Sequence, residues 1–519
     1  MLKRLLALIG IGICFLPTIS QAQQWLGIAN SNYAGTNAIY VNPANVTDSR
    51  YKFYLNIAAN DAFATNSYFG WNAPYSYLSM FTNSVSDTYR NAKGVIVYKD
   101  EYLTPNPNGS IESVYALTDT RGPSALYTIN ETRSVALTTR VRAGMSATNV
   151  DSDFAQAMYY GIDNVQPSTI GYDLKNMMVN LNSYAEVGIT YGQTLVDNDE
   201  EYIKVGVTAK RLAGIYAAYA LINEANYQII PDFRNPVNNT LLINSLKLQY
   251  GYTDEDALKN ASPSLGWLLG GDAAGGGWGL DLGFVYEYRP DISKYTYREK
   301  GRRKLDASKN KYKYKFGASL NDIGYLNYNN QFYANSWDLS INNTSFTRED
   351  FRGSRGFDAL FNQINNKLGA GPGNNEQQFM TILPATLQVT ADYQVKPHVY
   401  VAGYWVQNLT TSKTRGLRTP SLLSITPRYE RKWVEVSMPL VLFDNYSKFG
   451  FGLATRLGPV FIGTDNLGSL LNLGNPKGFD AYFGVNLPIY SKGPTLPNSC
   501  WYEEDSEKSI FQKMMFWKR

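Results

Sequence analysis

Cysteine and histidine are nearly absent from this chain. Its 519 residues include two cysteines, Cys14 and Cys500, and one histidine, His398. Because Cys14 lies inside a predicted N-terminal signal, the mature chain keeps only Cys500 and cannot form an intrachain disulfide. A zinc site of histidine and cysteine would lack ligands. We therefore predict no metal and no cofactor.

Long hydrophobic runs are also scarce. The run at residues 5–16 follows two basic residues and precedes small residues in an A-x-A-like pattern, which is typical of a secretory signal. The run is too short to span a bilayer as a helix, which takes about 20 apolar residues. We predict a signal peptide over residues 1–22 and no transmembrane helix.

A strong charge of one sign is missing too. The formal net charge is +4, and it falls to +2 when Lys3 and Arg4 leave with the signal, so nucleic acid is not an expected partner. Aromatic residues, in contrast, make up 14% of the chain, while the mean hydropathy is only −0.30. Membrane β-barrels have this profile because alternate residues face lipid and aromatic girdles mark both interfaces.

Apolar and polar residues alternate along several segments. Residues 133–143, 202–210 and 278–288 place apolar side chains on one face and mostly polar or charged ones on the other. This period of two predicts β-strands, although a soluble sandwich would alternate in the same way. The length of the segments favours a barrel, because a tilted membrane strand needs about 9–11 residues.

The connections in the last third of the chain alternate in length. Short links are predicted at 394–397, 431–432 and 458, and longer ones at 410–421, 444–448 and 464–478. If the last strand ends in the periplasm, every short link is periplasmic and every longer link extracellular, as in outer-membrane barrels. We predict an all-β fold, a transmembrane antiparallel β-barrel of roughly 14–16 strands over residues 51–490.

The less regular parts of the chain are predicted to be connections. Residues 72–122 and 144–180 are predicted as long loops, with short loop helices at 151–162 and 356–369. Residues 491–519 are predicted to be a periplasmic tail.

Charged residues on the polar faces of the strands predict the character of the lumen. In a barrel these residues point inward, where opposite charges can pair across strands. They would then either fill the interior with ion pairs or line a polar conduit, whose mixed signs argue against strong ion selection. The candidate lumen residues are Arg140, Arg142, Asp392, Arg428, Glu430, Glu435 and Arg456.

His398 and a basic run at 298–315 are two further features that could indicate a function, but each has a simpler interpretation. His398 has no nucleophile motif beside it, so we predict that the protein is not an enzyme. The basic run at 298–315 is predicted to be a solvated loop and strand edge. On the extracellular side, this run could instead contact lipopolysaccharide phosphates.

The short motif "YVNPAN" at 40–45 stands ahead of the first predicted strand. Its Asn42, Pro43 and Ala44 resemble the N-terminal motif of FadL-like (long-chain fatty acid transporter) barrels and of related Bacteroidota outer-membrane proteins. This resemblance implies that residues 23–50 form a luminal hatch. Pro43 has no N–H, which also keeps the segment out of a central strand. A plain turn before the first strand is the alternative.

Longer stretches resemble a narrower group, a Bacteroidota outer-membrane β-barrel family of unknown function. The similar stretches are 24–45, 205–220, 316–328, 383–395, 425–440 and 457–471. This resemblance implies the barrel fold and an outer-membrane location with both termini periplasmic, but no established activity. The expected partners are outer-membrane lipid and lipopolysaccharide.

Two functions remain open at this point. One is FadL-like uptake of a hydrophobic small molecule, which would be the ligand. The other is a non-transport role as a scaffold or partner subunit of an envelope machine for type 9 secretion or outer-membrane assembly.

Overall fold

The fold is a closed, 14-strand antiparallel β-barrel, which confirms the predicted fold class. The structure is a computed structural model that describes residues 25–105, 111–160, 172–232, 239–262, 264–269, 271–299, 302–351, 357–370 and 375–493. The predicted signal and most of the predicted tail lie outside these residues.

The described strands are numbered in chain order. They are β1 (Tyr51–Asn66), β2 (Phe69–Trp71), β3 (Leu103–Pro105), β4 (Ile111–Arg121), β5 (Ser124–Thr128), β6 (Arg133–Asp151), β7 (Tyr172–Asn198), β8 (Glu201–Ile230), β9 (Thr240–Thr253), β10 (Gly275–Tyr288), β11 (Thr296–Glu299), β12 (Arg302–Leu305), β13 (Tyr314–Tyr328), β14 (Ala334–Phe346), β15 (Phe379–Ile382), β16 (Thr386–Lys396), β17 (Val399–Asn408), β18 (Leu422–Glu430), β19 (Val434–Ser437), β20 (Leu440–Phe443), β21 (Lys448–Phe451), β22 (Leu453–Leu457), β23 (Val460–Thr464) and β24 (Gly478–Tyr490).

Four of the fourteen wall positions consist of two consecutive strands with a short break between them. These positions are β4 with β5, β15 with β16, β19 with β20, and β21 with β22. The last strand closes the ring, because β24 pairs antiparallel with β1 and Leu487 lies opposite Leu55. β2 with β3 and β11 with β12 form small hairpins outside the wall.

The side chains of the wall alternate between an apolar outer face and a polar inner face. In β24, Phe483, Leu487 and Ile489 are exposed outside, whereas Asp480 and Asn486 are buried inside. An exposed apolar band of this size is rare on soluble proteins but is what lipid requires. The charges therefore face the interior, and the sandwich alternative is excluded.

The two ends of the barrel differ in their connections. At one end, here called the turn end, β7 and β8 are joined by residues 199–200, β16 and β17 by 397–398, and β22 and β23 by 458–459. This end also holds the start of β1 and the end of β24. The longer links predicted in the last third lie at the opposite loop end, as the length pattern predicted. One long connection, 289–313, is an exception at the turn end.

β7 and β8 extend beyond the wall at the loop end. There, β8 pairs with β9, and β9 pairs with β14. The helix Phe357–Leu368 packs on this extension, where the rings of Tyr252 and Phe361 stack 4.2 Å apart.

The described helices are short. The predicted helices at 151–162 and 356–369 are present as Ser152–Tyr160 and Phe357–Leu368. The others are Tyr77–Phe81, Glu255–Lys259, Leu265–Leu268 and Leu467–Leu470, with 3-10 helices at Gly35–Tyr40, Pro43–Val46, Asp87–Tyr89, Asp100–Tyr102, Ile292–Tyr295 and Arg348–Phe351. None of the helices in the described ranges is long and apolar enough to cross a membrane.

Two predicted long connections are partly wrong. Residues 111–121 form β4, and residues 144–151 and 172–180 belong to β6 and β7. The alternation is weak there because the pairing of β4 with β6 changes register between Glu112 and Val114. A bulge of this kind interrupts the period of two that marks a strand.

An acidic cluster at the loop end predicts a pH dependence of the extension. Burial and the nearby carboxylates of Asp358 and Asp256 raise the pKa of Asp254 to about 6. The folded state then holds a proton that the unfolded state releases near pH 4. The stabilising contribution is therefore full below about pH 4 and is lost as the pH rises through about 6.

We expect the helix Phe357–Leu368 to exchange its amide hydrogens more slowly at pH 5 than at pH 7, after correction for intrinsic exchange rates. Hydrogen exchange measured by mass spectrometry tests this expectation. Asp254→Asn should reduce the difference, and Asp338→Asn, on the exposed face of β14, should leave it unchanged. Equal pH dependence in the Asp254→Asn variant and the unmodified protein would contradict the assignment.

Candidate functional site

Residues 25–50 lie inside the barrel and are here called the plug. The plug contains no strand; it is built from turns and the two 3-10 helices Gly35–Tyr40 and Pro43–Val46. Trp25, Ala44 and Val46 have no exposed surface. The plug contacts the wall on opposite sides, so it occupies the lumen where a conduit would run.

The Asn-Pro-Ala motif of the plug lies against a row of glycines on the wall. Gly192, Gly206 and Gly283 stand opposite one another in register on β7, β8 and β10. A Cβ atom at Gly206 would lie 2.4 Å from the carbonyl carbon of Pro43, and one at Gly283 would lie 2.1 Å from Oδ1 of Asn42. Only glycine permits this close approach between plug and wall.

Asn42 fixes the motif by hydrogen bonds in two directions. Its Nδ2 donates to the carbonyl oxygens of Phe284 at 2.9 Å and Ala318 at 3.1 Å. Its Oδ1 accepts from the N–H of Ala44 at 2.9 Å, which caps the helix Pro43–Val46. Ser319 also donates to the carbonyl oxygen of the preceding plug residue, Val41, at 2.6 Å. The motif is therefore bound to the backbone of the wall.

The opposite side of the plug is bound to the last strands. The N–H of Leu26 donates to Asp465 at 2.9 Å, and the hydroxyl of Ser437 donates to the carbonyl oxygen of Gly27 at 2.5 Å. The Trp25 ring stacks on Tyr482 with centroids 6.0 Å apart. Here the plug is held by apolar packing as well as by hydrogen bonds.

Arg428 forms a buried ion-pair cluster with two carboxylates. Its guanidinium donates to Asp392 at 2.6 and 3.1 Å and to Glu430 at 3.1 Å. Asp392 also accepts from the hydroxyl of Tyr312 at 2.7 Å, and Glu430 accepts from the plug residue Asn32 at 2.7 Å. The cluster therefore joins wall, plug and the connection 289–313.

Glu435 and Arg456 form a second pair of predicted lumen residues. The carboxylate of Glu435 accepts from Arg456 at 3.0 Å and from the plug residue Ser31 at 2.7 Å. Both wall side chains are almost fully buried. This pair also ties the plug to the wall.

Arg140 and Arg142 meet in a third cluster on the far wall. Arg140 lies 2.8 Å from Glu186, and Arg142 lies 2.7 Å from Asp322, a residue that the two arginines share. Lys210 also pairs with Asp322 at 2.6 Å. The remaining members of this cluster are Arg121, Asp119 and Asp281.

A fourth cluster ties the plug to the turn end. Asp48 of the plug pairs with Arg289 at 2.5 Å and with Lys311 at 3.0 Å. Glu287 on β10 pairs with the same Arg289 at 2.5 Å and with Lys204 at 3.1 Å. Lys204 also donates to the carbonyl oxygen of Thr47 at 3.0 Å.

Small cavities lie between the plug and the wall in the described part of the chain, and two of them are lined by charged side chains. One, of about 60 Å³, lies beside Arg140, Asp322 and Tyr40. The other, also about 60 Å³, lies nearer the turn end beside Arg50 and Lys315. Each has room for about four waters, because a water needs roughly 10–15 Å³ of such volume.

All seven predicted lumen residues lie on the inner face of the wall and take part in these clusters. Alternation would have found Lys210 and Asp281 as well, since both lie on polar faces that the pattern marks. It could not find Asp322. Asn321 and Asp322 both turn inward at a bulge opposite Asp281, and Asp322 has a φ of 58°.

Two other predicted features lie at the turn end. His398 sits in the turn before β17, with its ring 6.4 Å from that of Tyr429. Its φ of 68° suits a tight turn.

The basic run 298–315 includes the hairpin of β11 and β12 and then returns into the lumen at Lys311 and Tyr312, which are buried. The run is therefore only partly solvated, and contact with lipopolysaccharide would need the turn end to face outward.

The chain belongs to a family of unknown function, DUF5723, whose model matches residues 43–465. This match confirms the predicted membership of a family without established activity. No curated protein is significantly similar to the chain.

Several solved structures are similar to the barrel. A FadL homologue of Pseudomonas aeruginosa is 12% identical, with a TM-score of 0.32, over 92% of this chain and 100% of its own. The toluene transporter TbuX of Ralstonia pickettii is 9% identical, with a TM-score of 0.36, over 90% and 98%. The translocator domain of the autotransporter NalP from Neisseria meningitidis is 8% identical, with a TM-score of 0.27, over 85% and 88%.

Proposed function

We propose that this protein is an outer-membrane barrel that works with a closed lumen, as a scaffold or partner subunit of an envelope machine. The observation that supports this most is the plug, which is bound on opposite sides to the wall. A drug-sized apolar ligand occupies a pocket of about 300–1,000 Å³. The two cavities beside the plug are about 60 Å³ each, and charged side chains line both.

The way the plug is bound also supports a closed resting state. Moving the plug would break the ion pairs of Asp48 and the hydrogen bonds that Glu430 and Glu435 accept from it. Each broken contact would leave a charge poorly solvated in the lumen, which costs several kcal/mol if water does not enter. These contacts therefore oppose frequent opening of the barrel.

In this proposal, the turn end faces the periplasm and the loop end faces outward. The extension of β7, β8, β9 and β14 then stands above the membrane, where a partner can reach it. Both termini are periplasmic, and a machine in the periplasm can reach residues 491–519. We assign no activity to the tail.

One observation favours uptake of a hydrophobic small molecule as a second candidate. β23 is only five residues long and ends at Thr464. Beyond it, the wall between β21 and β24 is covered by the short helix Leu467–Leu470. Trp25 and Leu26 lie behind this place, packed among apolar side chains. Movement of that helix would open a lateral path toward lipid.

Native mass spectrometry of the full-length protein, extracted gently from its own membranes, separates the two candidates. The closed scaffold predicts a stoichiometric protein partner and no apolar small molecule in the barrel. Uptake predicts a retained apolar ligand that disappears when residues 25–45 are deleted. Deletion of residues 494–519, which follow the last strand in the sequence, is the control truncation for the ligand. An apolar ligand with this behaviour and no partner would overturn the scaffold proposal.

A further inference from the structure

The cavity near the turn end is lined by three separate parts of the chain. The plug contributes Asn30 and Arg50, the wall contributes Lys204 and Lys315, and the connection 289–313 contributes Lys311. A ligand in this cavity would therefore touch plug, wall and connection at once.

The lining of the cavity is strongly cationic. Five lysine and arginine side chains face it, whereas only two carboxylates do, those of Asp48 and Glu287. Both carboxylates are already shared between cations, since Arg289 pairs with each of them, Lys311 with Asp48, and Lys204 with Glu287. The lining of the cavity therefore carries an excess of positive charge.

Three of the lining side chains have unused donor capacity. The side chain of Lys315 forms no hydrogen bond and no ion pair within the described part of the chain; its ammonium lies 5.0 Å from the centre of the Tyr312 ring. Arg50 stacks on Tyr33 and donates to Asn310, but it pairs with no carboxylate in that part. Nδ2 of Asn30 is buried without an acceptor.

The two carboxylates nearest to Lys315 form their direct ion pairs with other cations. In register, Lys315 stands between Glu287 on β10 and Asp392 on β16. Glu287 is held by Lys204 and Arg289, and Asp392 is held by Arg428. Lys315 is half-buried. An ammonium that is partly withdrawn from water without a direct partner is unfavourable, and an anion from outside the chain would reduce that cost.

We propose that this cavity is a binding site for a phosphate group, either inorganic phosphate or the phosphate of a lipid headgroup. A volume that holds about four waters also holds one tetrahedral oxyanion. Lysine binds phosphate as a point charge, and the arginine fork adds directed hydrogen bonds. The bound phosphate links Asn30 and Arg50 of the plug to Lys315 of the wall, so it stabilises the closed barrel.

Calorimetric titration of the full-length protein tests the site. The protein is purified in a phosphate-free sugar detergent and titrated with inorganic phosphate at constant ionic strength. We expect binding at one phosphate per chain and a higher midpoint of thermal unfolding than in chloride. Lys315→Met should weaken binding at least tenfold. Lys313→Met is the matched control, because that side chain lies two residues away against the ring of Tyr393 on the outer face, and it should bind like the unmodified protein.

A second arm distinguishes the two sources of phosphate. Native mass spectrometry after dialysis detects a lipid, which stays bound, whereas free phosphate is lost. A retained phospholipid mass that is absent from Lys315→Met assigns the site to a headgroup, and titratable inorganic phosphate without such a mass assigns it to the free ion. Lys315→Arg keeps the charge and should keep binding if Lys315→Met does not fold. If neither phosphate nor phospholipid binds, or if Lys315→Met and Lys313→Met bind equally, the proposal is wrong.

Discussion

Gly206→Leu is expected to release the plug and open the lumen. A Cβ at this position would lie 2.4 Å from the carbonyl carbon of Pro43 and 2.5 Å from the nitrogen of Ala44. Both are backbone atoms of a helical turn, so neither can move aside as a flexible side chain could. Overpacking costs about 1–3 kcal/mol, which corresponds to a shift of about 5-fold to 150-fold toward the undocked plug.

Ion conductance across planar lipid bilayers measures this opening. The unmodified protein should show no steady open state, and Gly206→Leu should show long openings. Gly403→Leu is the matched control, because Gly403 lies on the outer face of β17 and the nearest atom to its added Cβ is 3.9 Å away. Equal conductance of both variants would show that the glycine row does not hold the plug.

Arg428→Met is expected to cost about 3–5 kcal/mol of unfolding free energy, the range measured when one partner of a buried ion pair is removed. Arg428 and its partner Asp392 are each at most 2% exposed. Methionine fills much of the space but leaves the carboxylates of Asp392 and Glu430 without their shared cation. Among the described residues, Asp392 then keeps only the hydroxyl of Tyr312 as a donor at short distance.

Denaturant unfolding in detergent, followed by tryptophan fluorescence, measures this loss. Lys396→Met, at the exposed end of the same strand as Asp392, should cost no more than about 0.5 kcal/mol. The double variant Arg428→Met with Asp392→Asn should cost less than the two single losses added together, because it removes the unpaired charge. Additive losses would mean that the two side chains do not act as a pair.

The barrel and the charged lumen could be predicted because both follow from local alternation. In β18, Arg428 and Glu430 are on the polar face, and in a closed wall that face can only point inward. Their partners could not be assigned from one strand. Which cation meets Asp392 depends on the register between β16, β17 and β18, which the sequence of one strand does not carry.

The row of wall glycines that contacts the Asn-Pro-Ala motif could not be predicted from the sequence, for a related reason. Gly283 is far from Gly192 and Gly206 in the sequence, and each of the three glycines alone looks like a break in the polar pattern. They become a single surface only when β7, β8 and β10 are paired in register. The ion pair of Asp48 with Lys311 could not be predicted because both residues lie in segments without strand periodicity. Their contact depends on how two connections fold back into the lumen.

Hydrogen exchange of residues 25–50 in the intact, detergent-solubilised protein tests the central claim most directly. Amide hydrogens that are buried and bonded exchange only when the structure opens. The N–H groups of Leu26 and Ala44 donate to Asp465 and Asn42, and that of Asn42 donates to the carbonyl oxygen of Ala38. A fixed plug predicts that this segment exchanges as slowly as β7 and β8. Exchange as fast as that of an exposed connection would contradict a closed barrel.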